Sequence, residues 1–457
     1  TLSLHDALPI CDTLLVYGRT QAIEALDVRR QGATGDQSHR QAVLDAAERQ
    51  RHEKAASEKS ESEAGAARPP QSLSQGPCAV SRRVIAAVDA DAGKVRTESF
   101  LGGTYAVRSR SGLSRTEAAL VEALDETPKA PARVLILGNR TGVVGIIAAD
   151  RYPQAAVEAH CLDRHHARAV EANLARNAGG RVELRCQAYI EHRDWADLAL
   201  VQSSRGGMSR ELLLDRLQEC HLALRDGGKL VVSLDGGPTW PAAQVRRLFG
   251  DCSVSAVRRG VSLLTARKRG PLKKIRDHSA EFEMPLPEGP VARLLTVPGV
   301  FAHRRVDQGA QALAEAADVQ DGDTVLDLGC GCGAIGIALA LRCRVAEVCF
   351  VDSDARAIHA TEANCRRNGL VNWRTVLSDE GPGGDDRFTL FVGNPPYYSH
   401  HSISARFIDV AHRRLAPGGR AWIVARNARW HFDYMKDRFG NAQRLTRRGY
   451  ELVRSVR

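Results

Sequence analysis

Short apolar runs, each closed by a turn and followed by a helix-periodic stretch, set the framework of this chain. Val134-Leu135-Ile136-Leu137 runs into Gly138-Asn139-Arg140-Thr141-Gly142 and then into an apolar stretch reaching Asp150. A short apolar run bounded by glycine reads as a buried strand, and the longer run behind it as a helix. The plan recurs from Val325 to Leu341, where Val325-Leu326-Asp327-Leu328 meets Gly329-Cys330-Gly331-Cys332-Gly333. Ser114-Arg115-Thr116-Glu117 precedes an apolar-periodic run in the capping-box pattern, which predicts a helix start. A helical stretch over 308–317 leads to the second glycine turn, and Val348-Cys349-Phe350-Val351 predicts the next strand, ending at Asp352. Strands alternating with helices imply a mostly parallel sheet.

The two units are copies, 191 residues apart. At that offset Glu171-Ala172-Asn173 and Asn177 match Glu362-Ala363-Asn364 and Asn368, while His221, Leu224, Gly227 and Gly228 match His412, Leu415, Gly418 and Gly419. Each half closes on Arg-Arg-Gly and an alternating run, at Arg258-Arg259-Gly260 and Arg447-Arg448-Gly449. Two fused copies of one α/β domain explain this most simply. The expected organisation is an N-terminal extension over 1–97, one copy over 98–270, a basic linker over 271–281 and a second copy over 282–457. Residues 28–77 hold no Phe, Tyr or Trp and are rich in Gln, Ser, Glu, Arg and Ala. Such a stretch reads as disordered or frayed helix. The chain opens on Thr1, and its first ten residues resemble translated sequencing adapter, so we expect a fragment or an assembled reading frame and assign residues 1–97 no chemistry.

Composition narrows the classes. At 457 residues two or three domains are expected. No apolar run approaches the roughly 20 residues of a membrane span. The 11 cysteines form no CxxC pair, so neither a zinc site nor a disulfide framework is indicated, and Cys330 and Cys332 read as small residues in a crowded turn. A net charge of +10 hints at a polyanionic partner. Basic residues gather at Arg267, Lys268, Arg269, Lys273, Lys274 and Arg276, and again at Arg444, Arg447, Arg448, Arg454 and Arg457.

The second glycine turn carries candidate chemistry. Gly329, Gly331 and Gly333 let a ligand approach the backbone closely. Dinucleotide enzymes share such turns. Asp327, two residues before the first glycine, would repel a pyrophosphate but can meet the ammonium of S-adenosylmethionine. Asp352 ends the next strand, where an acid can bond both ribose hydroxyls. Asp354 reads better as a helix cap. Asp379 falls where a third strand would end and could accept from the adenine amino group.

About 65 residues on, an apolar strand ends in Asn394-Pro395-Pro396-Tyr397. An exocyclic amine on a base or amide is a poor nucleophile because its lone pair is delocalised. Accepting its N–H bonds at the Asn394 side-chain oxygen and the Pro395 carbonyl pulls the nitrogen towards tetrahedral geometry and frees that pair. The prolines fix the turn, and Tyr397 can stack on a planar target. Tyr398, His400 and His401 receive no catalytic role.

With these motifs, and with Pro298-Gly299-Val300-Phe301, Asp307, Gly309 and the closing run from Phe439 to Arg454, the chain resembles bacterial ribosomal RNA guanine-N2 methyltransferases. These are the small-subunit methyltransferase C and large-subunit methyltransferase G types, and the resemblance covers roughly 100–457. It implies two tandem Rossmann-like class I methyltransferase domains, the first degenerate, and a cytoplasmic enzyme. Its partner would be ribosomal RNA or a ribosomal subunit particle, and it would be a monomer with no membrane attachment. S-adenosylmethionine would sit on Asp327, Gly329, Gly331, Gly333, Asp352 and Asp379, and the target amine on Asn394, Pro395, Pro396 and Tyr397, with no metal. The Asn-Pro-Pro-Tyr turn is shared with adenine-N6 and protein-glutamine methyltransferases, so guanine rests on the duplication. A catalytically inactive RNA-binding or assembly factor would require a broken second site.

The first copy keeps Gly138 and Gly142 but has lost other groups of this set. Ile136 stands for the acid, Arg140 for the middle glycine, and Ser203-Ser204-Arg205 for Asn-Pro-Pro. Calorimetric titration with S-adenosylmethionine should therefore give one site per chain, and two equivalent sites would overturn this reading.

Overall fold

A computed structural model of the chain describes residues 94–457 except 102, 110–112, 127–128, 139, 178–179, 204–207, 258–259, 287–288, 397–400 and 426–427. These residues fall in one compact unit, Val80–Arg457. The segment expected to be disordered, 28–77, and Tyr397, Tyr398 and His400 lie outside the described residues.

The first half opens with a hairpin, β1 (Lys94–Phe100) and β2 (Gly103–Ser109), then α1 (Arg115–Asp125), β3 (Arg133–Leu137) and α2 (Val143–Arg151). It continues through β4 (Ala156–Cys161), α3 (Arg164–Asn177), β5 (Val182–Cys186), β6 (Ala196–Ser203) and α4 (Arg210–Ala223). It closes with β7 (Leu224–Asp235), α5 (Thr239–Phe249), β8 (Ser253–Val257) and β9 (Val261–Arg267). The second half repeats the plan from its own hairpin, β10 (Ala280–Pro285) and β11 (Val291–Thr296), through α6 (Gln308–Ala316), β12 (Thr324–Leu328), α7 (Ala334–Arg342) and β13 (Glu347–Asp352). Then come α8 (Ala355–Arg367), β14 (Trp373–Leu377), β15 (Phe388–Gly393), α9 (Ser402–Arg414), β16 (Leu415–Ala425), α10 (Arg429–Phe439), β17 (Gln443–Arg447) and β18 (Tyr450–Val456). The first described strand thus begins inside the extension expected over 1–97, and β10 begins inside the linker expected over 271–281.

Both halves build a seven-stranded sheet of one order, β5-β4-β3-β6-β7-β9-β8 and β14-β13-β12-β15-β16-β18-β17. Five strands run parallel and the closing pair antiparallel. Two tandem Rossmann-like domains are therefore present, as the repeat implied. Each sheet carries an apolar cluster on both faces, Val325, Val348 and Leu390 on one side of the second sheet and Leu326, Cys349 and Phe391 on the other. The chain moves outward from β12 to β14 and then returns beside β12 as β15. That reversal opens a crevice at the carboxyl ends of the strands, where open α/β sheets bind ligands.

The asparagines common to both copies hold the hairpins. Asn364 Oδ1 accepts from Leu295 N at 2.7 Å, and its Nδ2 donates to Leu295 O and to Cys332 O in the glycine turn. Asn173 does the same with Arg108 N at 2.9 Å, Arg108 O and Thr141 O. Asn177 and Asn368 pair the next turn of helix with Ala106 and Arg293. The repeat keeps these residues because the fold needs them.

The halves meet through counterpart loops. Arg164 N donates to Ser353 O at 2.8 Å and Ala355 N to Leu162 O at 2.7 Å, forming an antiparallel bridge at Asp163 and Asp354. Beside it Arg356, fully buried, leaves α8 and enters the first domain. Its guanidinium binds Asp215 at 2.7 Å, Glu219, Ala188 O at 3.1 Å and Pro298 O at 2.9 Å, over the Tyr189 ring. Glu219 also accepts from Arg216, which reaches His160.

Several of the basic residues are framework. Lys268 is buried and donates to Asp194 and to Leu224 O, Arg447 and Arg448 hold Glu315, and Arg454 holds Asp318. Replacing Arg356 by Met leaves Asp215 buried without a cation and Glu219 with Arg216 alone. The expected cost is about 3–5 kcal/mol, read as a fall in the thermal midpoint and separate melting of the two halves.

Candidate functional site

The glycine turn, Asp352 and Asn394 come together at the carboxyl edge of three adjacent strands, with Leu328 level with Val351 and with Gly393. Gly329, Gly331 and Gly333 all lie in the left-handed region, at φ +69°, +58° and +80°. A Cβ on Gly329 would come 2.7 Å from the Phe407 ring, and one on Gly393 2.9 Å from the same ring. Phe407, on α9, therefore packs both turns together, a role the sequence pattern did not reveal. A Cβ on Gly331 would meet open space, on the side from which a ligand could reach the turn.

Three acids surround the turn. Asp327 is fully buried, and its Oδ2 accepts from Gly336 N at 2.8 Å, satisfying an amide in the first turn of α7. Its Oδ1 is buried with no hydrogen-bond partner among the described residues. That orphaned carboxylate oxygen fits the ammonium expected from the sequence. Asp352 accepts from Gly331 N at 2.9 Å and from Asp354 N at 2.9 Å. Asp354 caps α8 through Arg356 N and Ala357 N, as its sequence position suggested. Asp379 is different, because its Oδ2 already accepts from Arg168 at 2.7 Å and His165 at 3.1 Å of the first domain. An adenine amino group would have to use its other oxygen or share this one.

Asn394 follows β15, with Pro395 buried behind it. Its Nδ2 donates to Asp307 Oδ2 at 2.8 Å. Tyr397 lies outside the described residues. His401 stacks on Trp430 with ring centroids 4.4 Å apart.

Residues 292–454 match the methyltransferase small domain family. The small-subunit ribosomal RNA methyltransferase C of Pseudomonas entomophila is 30% identical over 194 residues, covering 40% of this chain and 57% of that protein. The Chromohalobacter salexigens protein of the same name is 35% identical over 153 residues, covering 31% of this chain and 44% of its own length. The matched part thus spans about half the length of these relatives. Among solved structures, the T. thermophilus 16S rRNA N2 G1207 methyltransferase, in complex with AdoMet and guanosine, aligns with TM-score 0.64 and 22% identity. It covers 80% of this chain and 99% of that one, which shows the shared fold across both domains. The resemblance read from the motifs is borne out.

In the first domain the corresponding space is filled from within. Ile136 is fully buried where the second domain has Asp327. Glu117 reaches from α1 to Thr141 N and Oγ1 at 3.1 and 2.7 Å, while Gln202 donates to Ser114 and Thr116.

Burial pushes the Asp327 carboxyl up to about 7, with the charge of Asp352 adding to the shift. Burial likewise raises Asp352 to about 6 and Asp354 to about 7. Cys332 in the turn is pushed up to about 12 by burial, leaving an unreactive thiol. An unfolded aspartate titrates near 3.9, so between the two values the folded protein binds more protons than the unfolded chain. The stabilisation from this excess is complete below pH ~4 and is lost as pH rises to ~7. For Asp327 it is on the order of 4 kcal/mol. Asp327→Asn should flatten the ligand-free protein's stability between pH 4 and 7 in urea unfolding, and an unchanged slope would contradict the assignment.

Proposed function

We propose that the chain is an S-adenosylmethionine-dependent methyltransferase whose second domain methylates an exocyclic base amine of ribosomal RNA, guanine N2. The observation that carries this reading is the pairing, at one strand edge, of an orphaned buried Asp327 oxygen with an Asn394 amide fixed by Asp307. The cofactor supplies an electrophilic methyl on a sulfonium. Asp327 would hold its ammonium, Asp352 its ribose, and the Gly329–Gly333 turn its backbone-facing side, with Asp379 near the adenine.

The protein's part is to orient the amine. Asn394 Oδ1 and the Pro395 carbonyl accept its two N–H bonds, so the nitrogen lone pair points towards the methyl carbon. A bound cofactor would give up its methyl and keep a neutral sulfur, and the amine would release one proton to water. Holding the nitrogen in line with the methyl supplies much of the acceleration. A base inside a stacked helix presents no such approach, so it must lie in a loop or be flipped out. These requirements fit RNA in a cytoplasmic ribosomal particle.

The fold speaks against the nearest rival. Protein-glutamine methyltransferases acting on release factors carry a helical N-terminal domain, whereas here the first domain is a seven-stranded sheet.

Undermodified ribosomal RNA incubated with labelled S-adenosylmethionine should yield N2-methylguanosine with wild-type protein, and at least ~100-fold less with Asn394→Ala. N6-methyladenosine as product would move the assignment to adenine. Labelling of a release factor, with none of RNA, would replace the substrate class.

A further inference from the structure

We propose that Phe301 is a stacking platform for an unstacked nucleobase of the RNA substrate, set beside the methyl-transfer site. This rests on the function proposed above and extends its site to the strand that carries the amine. Phe301 lies in the connection over 297–307, between β11 and α6. Among the described residues it is the one Phe, Tyr or Trp that is exposed, at 58%. The other exposed large apolar side chains, such as Ile275 and Val371, are aliphatic. A lone exposed aliphatic residue is ordinary on a protein surface. A planar ring in water offers a face on which any base can stack. A target base that leaves its helix also leaves its neighbours without a stacking partner, and the net charge of +10 favours a polyanionic strand as the occupant.

Both ends of the connection are tied to the site. Pro298 O accepts from Arg356, just after the cap acid Asp354, at 2.9 Å, and Asp307 Oδ2 accepts from Asn394 Nδ2 at 2.8 Å. Phe301 therefore stands on a segment that passes between the loop bearing Asp352 and the Asn394 turn. The segment is held in place. Val300 is buried and its N donates to Val297 O at 3.2 Å, while Arg305 N donates to Ala302 O at 3.2 Å. Thr296 Oγ1 accepts from Arg304 N at 3.2 Å and hydrogen-bonds with His303 Nδ1 at 2.9 Å. Arg304 reaches Glu211 of the first domain at 2.8 Å. Directly behind Phe301, Ala302 and Arg304 take left-handed backbone at φ +54° and +71°, which is costly for a residue with a Cβ. Strain of this kind gathers at ligand sites. The duplication separates the ring from the needs of the fold. In the first copy the connection from β2 to α1 spans only 110–114 and holds no Phe, Tyr or Trp, yet the hairpin and the helix form. The longer connection and its aromatic stand only in the copy that keeps Asp327 and Asn394.

Three variants of the full chain, Phe301→Ala, Phe301→Leu and Phe301→Trp, test the inference with undermodified ribosomal RNA as the probe. For the alanine and leucine variants the RNA Kd and KM should rise about 10-fold, with S-adenosylmethionine affinity and thermal midpoint unchanged. Phe301→Trp should keep most of the affinity, and its added indole emission should be quenched as RNA binds. An alanine or leucine variant that binds RNA as wild type does overturns the proposal. So does a matching loss of cofactor affinity or thermal midpoint, which would give the ring to the cofactor or to the fold. Free guanosine separates the two sources of the base. Weaker guanosine binding by Phe301→Ala assigns the ring to the target base, and weaker RNA binding alone assigns it to a neighbour in the strand. Wild-type protein that binds no ribosomal RNA overturns the function proposed above and this inference with it. Wild-type methylation that the alanine variant matches overturns this inference alone.

Discussion

Arg356 is a guanidinium without access to solvent, and the relation between the two domains depends on what it meets. It leaves the second domain two residues after the cap Asp354 and meets Asp215, Glu219 and the Ala188 carbonyl beyond the boundary, while the Pro298 carbonyl of its own domain accepts from it too. A buried cation of this kind is tolerable only with its acids in place, so the halves cannot separate cheaply. The constraint runs straight into the site, because the loop from Asp352 to Asp354 is also the loop that bridges to Leu162 and Arg164. Ser353 further donates to Asp163 at 2.7 Å. Asp352 is thus set by contacts with a domain whose own corresponding space is filled.

What the two copies share, and what they do not, divides along physical lines. Asn173 and Asn177 retain the bonds that their counterparts Asn364 and Asn368 make, because without them buried hairpin amides would lose their partners. Gly138 and Gly142 retain left-handed backbone in the first turn. The groups aimed at open space had no such reason to persist. Ile136 fills the room of an acid, Arg140 is exposed, and Glu117 satisfies the Thr141 amide ahead of α2 from inside the protein. The first copy is now a brace. Glu211 on α4 holds Arg304 at 2.8 Å, in the loop leading to Asp307, and Arg168 on α3 holds Asp379.

Much of this was legible in the chain because it is local. The strand-turn-helix units, the capping box at Ser114 and the cap at Asp354 each depend on a few consecutive residues, and the duplication exposed the second copy, although β10 begins inside the linker expected over 271–281. The hairpins β1–β2 and β10–β11 were not read, since their strands pair only with each other and lie against a helix rather than in the main sheet. The interdomain bridge and the Arg356 cluster escaped for another reason. They join residues far apart in sequence, and an arginine two places after a helix cap looks like any exposed helical arginine. Asp307 was noticed only as part of a resemblance. Its bond to Asn394 exists because α6 and β15 are brought together by the closed fold, and no spacing encodes that.

The cluster of acids at the turn finally bears on which ligand the site prefers. Burial raises the proton affinity of Asp327, Asp352 and Asp354; the charge of Asp352 adds to the first and last, and Asp163 of the first domain adds to Asp352 and Asp354. Bringing a phosphate among them would add like charge in a place where water screens poorly. A ligand with an ammonium and a neutral ribose does the opposite, because it lowers the cost of ionising Asp327 and leaves Asp352 with hydroxyls to accept from. On the function proposed above, the same glycine turn that in dinucleotide enzymes receives pyrophosphate would be turned towards a cation by one strand residue. That residue, Asp327, is the one that the first copy replaced with Ile136, and its loss alone removes the electrostatic basis for the choice.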